Sequence, residues 1–157
     1  NVASDWLGNE EQMSWNNPIK DWGPHRYDAR HRFNLMGMFD LPLAFRFSAI
    51  VRYHSAYPYN VTLGYDANMD GQNMDYPEGV NRFSGRGNDF LIIDTRLTKD
   101  IKVKRFNFQL FIDVFNLTNR TNFVAYTHIG NMQSANFGEP TETWNSRLIQ
   151  LGLRVDF

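Results

Sequence analysis

The 157-residue chain carries 16 basic and 17 acidic side chains, for a formal net charge of -1, and no cysteine. This balance excludes a general electrostatic attraction to nucleic acid or anionic lipid, and the missing thiols exclude a disulfide scaffold, dithiol redox chemistry and thiolate metal sites. Hydrophobic residues at 42% argue against disorder, while no run approaches the roughly 18 apolar residues of a membrane helix.

Aromatic residues reach 15%, and 17 residues are Asn. Many aromatics, many Asn and a mean hydropathy of -0.51 suit alternating strands joined by polar loops better than a helical core rich in Ala and Leu. The opening NVASDWLGNEEQ has no basic stretch followed by an apolar core, so no signal peptide is expected there.

Five segments alternate with period two, the signature of strands with two unlike faces. They run from about His31 to Leu41, Ala44 to Tyr57, Asp89 to Lys99, Arg105 to Leu117 and Ser146 to Phe157. In the second, Phe45, Phe47, Ala49, Val51 and Tyr53 oppose Arg46, Ser48, Ile50, Arg52 and His54. The later strands repeat the division, and the last sets Ile149, Leu151, Leu153, Val155 and Phe157 against Leu148, Gln150, Gly152, Arg154 and Asp156. Across the last four segments one face takes 19 residues and no charge; the other takes 19 residues, seven of them charged. One face must therefore stay out of water, against either lipid or a second protein layer.

Connection lengths bear on that choice. The links at Leu41–Leu43 and around DIKVK are short; those at Pro58–Asn88 and Thr118–Asn145 are long. In an up-and-down sheet all short links fall at one end and all long ones at the other. Outer-membrane barrels have this asymmetry, and strands of about 11 residues meet the roughly 9–11 of a tilted membrane strand.

The final RLIQLGLRVDF, apolar at alternate positions and ending in Phe157, resembles the C-terminal signal of bacterial outer-membrane barrels. DWGP (21–24), DARHRFNL (28–35), FDLP (39–42), SAYPYN (55–60), DANMDGQNMDYPEGVNR (66–82), GRGNDFLIIDTRLTK (85–99), FIDVFNLTNRTNF (111–123) and FGEP (137–140) resemble, in family order and over nearly the whole chain, the C-terminal barrel portion of TonB-dependent transporters. The likeness is greatest to the Oar-like group, which carries a carboxypeptidase-regulatory-like domain before its plug. The resemblance implies an all-β fold, an antiparallel up-and-down transmembrane β-barrel of which residues 1–157 form a C-terminal segment of about five strands with two long external loops. It implies a location in the bacterial outer membrane and a full barrel of about 22 strands. Implied partners are outer-membrane lipid, the remaining strands and plug of the same protein, the TonB system acting through an N-terminal region, and an unidentified substrate. Five strands do not close an even-numbered barrel, so the chain is expected to be a piece of a longer protein. The alternative is a secreted β-sandwich binding module, for carbohydrate or calcium-dependent.

Asp66, Asn68, Asp70, Gln72 and Asp75 alternate oxygen ligands around Gly71, as a calcium loop does. The twelfth position is Pro77 where a bidentate Glu belongs, and the same residues also serve as turn formers in a polar loop. Calcium is the one cofactor considered. Arg52, Asp94, Arg96, Asp113, Arg154 and Asp156 fall on the charged faces, as a barrel-interior wall or as cross-strand ion pairs. Phe33, Tyr53, Tyr57 and Tyr59 at one end, and Phe39, Phe45, Phe106 and Phe157 at the other, fit two interfacial aromatic bands or ordinary cross-strand packing. Trp6, Trp15, Trp22 and Trp144 lie in loops, where they can stack on sugars or pin the chain. His25, His31, His54 and His128 have no metal spacing, Asn60, Asn116 and Asn119 begin glycosylation sequons, and no motif points to an enzyme.

Overall fold

Alternation becomes a two-faced sheet only if register lands successive apolar sets on the same side. In the computed structural model, which describes residues 22–124 and 128–157, it does. The strands are β1 (Arg32–Leu41), β2 (Phe45–His54), β3 (Pro58–Tyr59), β4 (Gly85–Arg86), β5 (Phe90–Val103), β6 (Phe106–Phe115) and β7 (Leu148–Asp156). Five of them form one antiparallel sheet in the order β1-β2-β5-β6-β7, an up-and-down meander; β3 and β4 pair as a separate two-stranded ribbon. The chain is thus all-β and antiparallel, as expected, but the sheet is open: β1 and β7 each have one strand neighbour.

Register rows cross the sheet without a change of face. Leu35 pairs with Val51 and Val51 with Ile93; Phe47 pairs with Leu97, Leu97 with Ile112 and Ile112 with Leu151. On the opposite side Asp40 pairs with Arg46 and Arg96 with Asp113. Both faces of the sheet are accessible: on the apolar face Phe33, Leu35, Phe39, Leu110, Ile149 and Leu153 are exposed, Leu151 is 73% accessible and the β2 residues Phe45, Phe47, Val51 and Tyr53 are half-buried, while on the other face Met36, Met38, Ile50 and Leu148 are exposed. The most buried side chains of the five-stranded sheet, Ile92, Thr98 and Asp113, belong to the charged face. An apolar face of this length left accessible departs from a water-soluble sheet, whose apolar face is packed.

The short links carry the strain of tight turning. Pro42–Ala44 form one 3-10 turn in which Leu43 and Ala44 have φ of 61° and 58°. Lys104, at φ 55°, turns the β5–β6 hairpin. This hairpin is longer than the sequence indicates. The DIKVK stretch, expected as a turn, stays in the ladder through Val103, because Ile101 and Val103 continue the apolar set and pair with Phe108 and Phe106. As a result β5 runs on past Lys99, the partner of Phe45 at the start of β2.

The chain divides into two units. The sheet, with residues 31–54, 90–122 and 143–157, is one; the other takes residues up to Arg30 together with Ser55–Asp89 and Phe123–Glu142. The long connections, read from the sequence as external loops, have structure of their own in their described residues. They contain the β3–β4 ribbon, a parallel bridge between Thr62 and Asn131 and an antiparallel bridge between His128 and Pro140. Thr62 N donates to Gly130 O at 2.8 Å and Met132 N to Thr62 O at 2.9 Å. Asn60 Oδ1 accepts from Phe83 N at 2.7 Å, and Arg86 reaches Asp28 Oδ2 at 2.9 Å. The second strand stops at His54, so Tyr57 and Tyr59 leave the expected aromatic band. Tyr57 meets Tyr27 edge-on and Tyr59 stacks on His128.

Gly152 in β7 pairs directly with Phe111, and a Cβ there would collide with the Phe111 ring. Gly152→Val should therefore destabilise the sheet by about 1–3 kcal/mol through overpacking, seen as a lower midpoint in urea, whereas the same change at exposed Gln150 should leave the midpoint nearly unmoved.

Candidate functional site

The charged face of the sheet is organised by strand pairing. Arg96 and Asp113, direct partners across β5 and β6, form a two-pronged ion pair at 2.5 and 2.7 Å. The Arg96 guanidinium also lies 4.6 Å from the centre of the Phe111 ring. Asp113 is buried, while the Arg96 side chain is half exposed. Arg52 reaches diagonally from β2 to Asp94 Oδ2 at 2.7 Å, and Asp94 Oδ1 accepts the Asn116 backbone N–H at 2.9 Å. Asp40 with Arg46, and Gln109 with Asp100, complete the cross-strand pairs; Arg154 bonds Asp156 on its own strand. Of the six charged residues expected on this face, four thus form two cross-strand pairs, and the remaining two pair locally.

At the loop end of this face two buried asparagines rebuild a ladder where strand has stopped. The Asn122 side-chain amide exchanges two hydrogen bonds with the Leu91 backbone, donating to its carbonyl at 2.9 Å and accepting from its N–H at 2.8 Å. The Asn122 carbonyl accepts the Trp144 N–H at 2.6 Å. Asn116 Nδ2 donates to Arg120 O and to Asn145 O. Asn119 Oδ1 accepts from Arg147 N at 3.0 Å. The sequon residues therefore act as structural amides: Asn116 is 2% exposed and its amide nitrogen is committed twice. Sequence reasoning missed this role because each acceptor lies far along the chain or in irregular backbone.

These contacts hold residues 144–146 beside β2, β5, β6 and β7, where an open cavity of ≈ 340 Å³ forms, lined by Arg52, Asp94, Phe115, Trp144, Ser146 and Gln150 among others. The Trp144 ring stands edge-on to Phe90 at 6.0 Å, and Phe90 stacks on His54 at 4.8 Å. The indole remains 47% accessible. Of the other tryptophans, Trp22 is exposed, and Trp6 and Trp15 lie outside the described residues.

The 66–75 loop gathers its oxygen residues tightly. Asp66 accepts from the Asp70 and Gly71 amides, Asp70 from the Gln72 amide and from Asn68 Nδ2, and Asp75 from the Ala67 and Asn68 amides and from Asn68 Nδ2. Both oxygens of each of these three carboxylates are thus engaged, an Asx-type closure around Met69 and Gly71 at positive φ. Gln72 Oε1 is buried without a hydrogen-bond partner. Among the described residues no group of three or more His, Asp or Glu side chains is arranged to hold a metal ion.

In the loop unit, His128 lies between Tyr59, stacked at 5.3 Å, and Phe123, edge-on at 6.4 Å, with Nε2 2.9 Å from Asn88 Oδ1. Burial holds its imidazole below the usual histidine range, against the opposing pull of Glu139. The unfolded chain then binds the proton more tightly than the folded one. The stability contributed by neutral His128 should be complete above about pH 6.5 and should fall as the pH drops below it. Lower protection factors at the Thr62 and Gly87 amides on acidification, taken relative to the intrinsic exchange rate at each pH, with a flatter pH profile in His128→Gln, are the expected result.

Comparison of the chain with protein-family models, with curated proteins and with solved structures returns no match.

Proposed function

We propose that the five-stranded sheet is a stretch of outer-membrane barrel wall, its apolar face turned to lipid and its charged face to a polar interior. The observation that carries this reading is one apolar face that runs across five strands and stays largely accessible, while the ion pairs occupy the other. An apolar surface of that extent on a water-soluble monomer would be an aggregation hazard. A sandwich made by this chain would place those side chains in its core.

Strand length agrees. Ten residues at about 3.4 Å each, tilted near 45°, cover roughly 25 Å, the height of the apolar band of a membrane barrel. The only charged side chain on the apolar face of the five strands, Lys99, caps the Leu43 carbonyl and lies 4.4 Å from the Phe45 ring centre, at the level of the β1–β2 turn. A long cationic side chain can reach an interface from such a place. Among the described residues β1 and β7 each have one strand neighbour, and their outer edges present backbone donors and acceptors that further strands would satisfy.

Within that wall reading, the ordered motifs support assignment to a TonB-dependent transporter, whose plug and energy coupling lie in other parts of the protein. Here the chain contributes barrel wall, and its loop unit is where the reading places contact with substrate or a partner. This is a transport role without a catalytic residue.

Arg in place of Leu151 should cost roughly 2–4 kcal/mol if the site lies at mid-bilayer, and Arg in place of Gln150, one residue away on the charged face, should cost little. Folding into lipid vesicles with urea titration measures both. Equal tolerance, or a soluble monomer that never partitions into vesicles, would replace the wall with the β-sandwich binding module.

A further inference from the structure

We propose that the cavity floored by Trp144 is a subsite for a neutral sugar ring. The inference rests on the charged face and its loop end alone, and it holds whether the opposite face meets lipid or protein.

The first argument is the chemistry of the lining. Trp144, Phe115 and Ile92 provide an apolar floor, suited to the C–H face of a pyranose. Around them stand Arg52, Ser146 and Gln150. Hydroxyl and amide groups both donate and accept hydrogen bonds, and a guanidinium donates several. Sugar hydroxyls need that mixture. A hydrocarbon ligand would leave those groups unpaired.

The second argument is charge. Among the described residues, Arg52 and Asp94 are the only ionic side chains of the lining, and they neutralise each other at 2.7 Å. Asp94 is 16% exposed and spends its second oxygen on the Asn116 amide, whereas Arg52 is half exposed. An anion would have to compete with Asp94 for the guanidinium, and a cation would have to compete with Arg52 for the carboxylate. A neutral polyol meets neither penalty and can accept from the outward N–H groups of Arg52.

The third argument is rigidity. Trp144 sits in irregular backbone, yet its N–H is tied to Asn122, its neighbour Asn145 is tied to Asn116, and its ring is braced by Phe90. Both anchoring asparagines are at most 2% exposed. A stacking platform held this way loses little conformational freedom when a ring settles on it. The volume, ≈ 340 Å³, is at the small end of ligand pockets, the scale of one or two sugar rings.

The full chain, held in a sugar-free detergent where it needs one, should be mixed with methyl α- and β-glycosides of glucose, galactose and mannose. Binding is read by saturation-transfer NMR and calorimetry, with sodium sulfate as the anionic control. At least one glycoside should bind with a Kd of about 1 mM, and sulfate should not displace it. Trp144→Ala should weaken binding at least tenfold, and Gln150→Ala, on an exposed strand position, several-fold with the strand circular dichroism unchanged. No transfer to any glycoside, displacement by sulfate, or equal binding by both variants would overturn the assignment. Vesicle insertion of Leu151→Arg reads the wall reading separately.

Discussion

Everything in the sheet unit depends on register. The pairing of β2 with β5, and of β6 with its two neighbours, keeps even and odd positions on the same sides from one edge of the sheet to the other. A slip of one residue in any pair would drive Leu, Ile and Phe into the ion-pair rows and arginines into the apolar face. Direct opposition of Asp40 to Arg46 and of Arg96 to Asp113 resists such a slip, since each pair would lose its partner. The ion pairs thus serve alignment more than net stability, where half-exposed arginines contribute modestly.

Much of this was legible in the residues. The five strand positions follow from alternation, because a face that must avoid water imposes period two on each strand separately. What misled was local charge. Asp100, Lys102 and Lys104 made DIKVK read as a turn, although Ile101 and Val103 kept the beat of the apolar face. The extension of the second strand to Tyr57 failed for a different reason. Pro58 begins the β3–β4 ribbon, and Tyr59 finds its stacking partner in His128, sixty-nine positions further along the chain. No local pattern encodes that meeting.

The Trp144 cavity was legible only as a loose tryptophan. Its residues come from four strands and a returning segment, and one of the amides that hold that segment, Asn116, begins a sequon, where sequence convention directs attention to glycans. The 66–75 loop is the opposite case. Its oxygen residues were all identified from spacing, and the fold does gather them, with every carboxylate oxygen turned toward the loop's own amides. The described residues of the long connections carry this much internal bonding, so length alone says less about the surroundings of the sheet than its accessible apolar face does.

The β5–β6 hairpin overshoots the β1–β2 turn: Phe45 stands opposite Lys99, yet β5 continues to Val103 before turning. That offset of about four residues is roughly 13 Å along the strands, gained over two inter-strand steps of nearly 5 Å each. Two hairpin tips displaced in this way reach a common plane only if the strands lean, by about 50°, slightly beyond the usual lean of closed barrels. On the proposed wall reading, the overshoot is a built-in shear that sets how steeply the ribbon winds about the barrel axis.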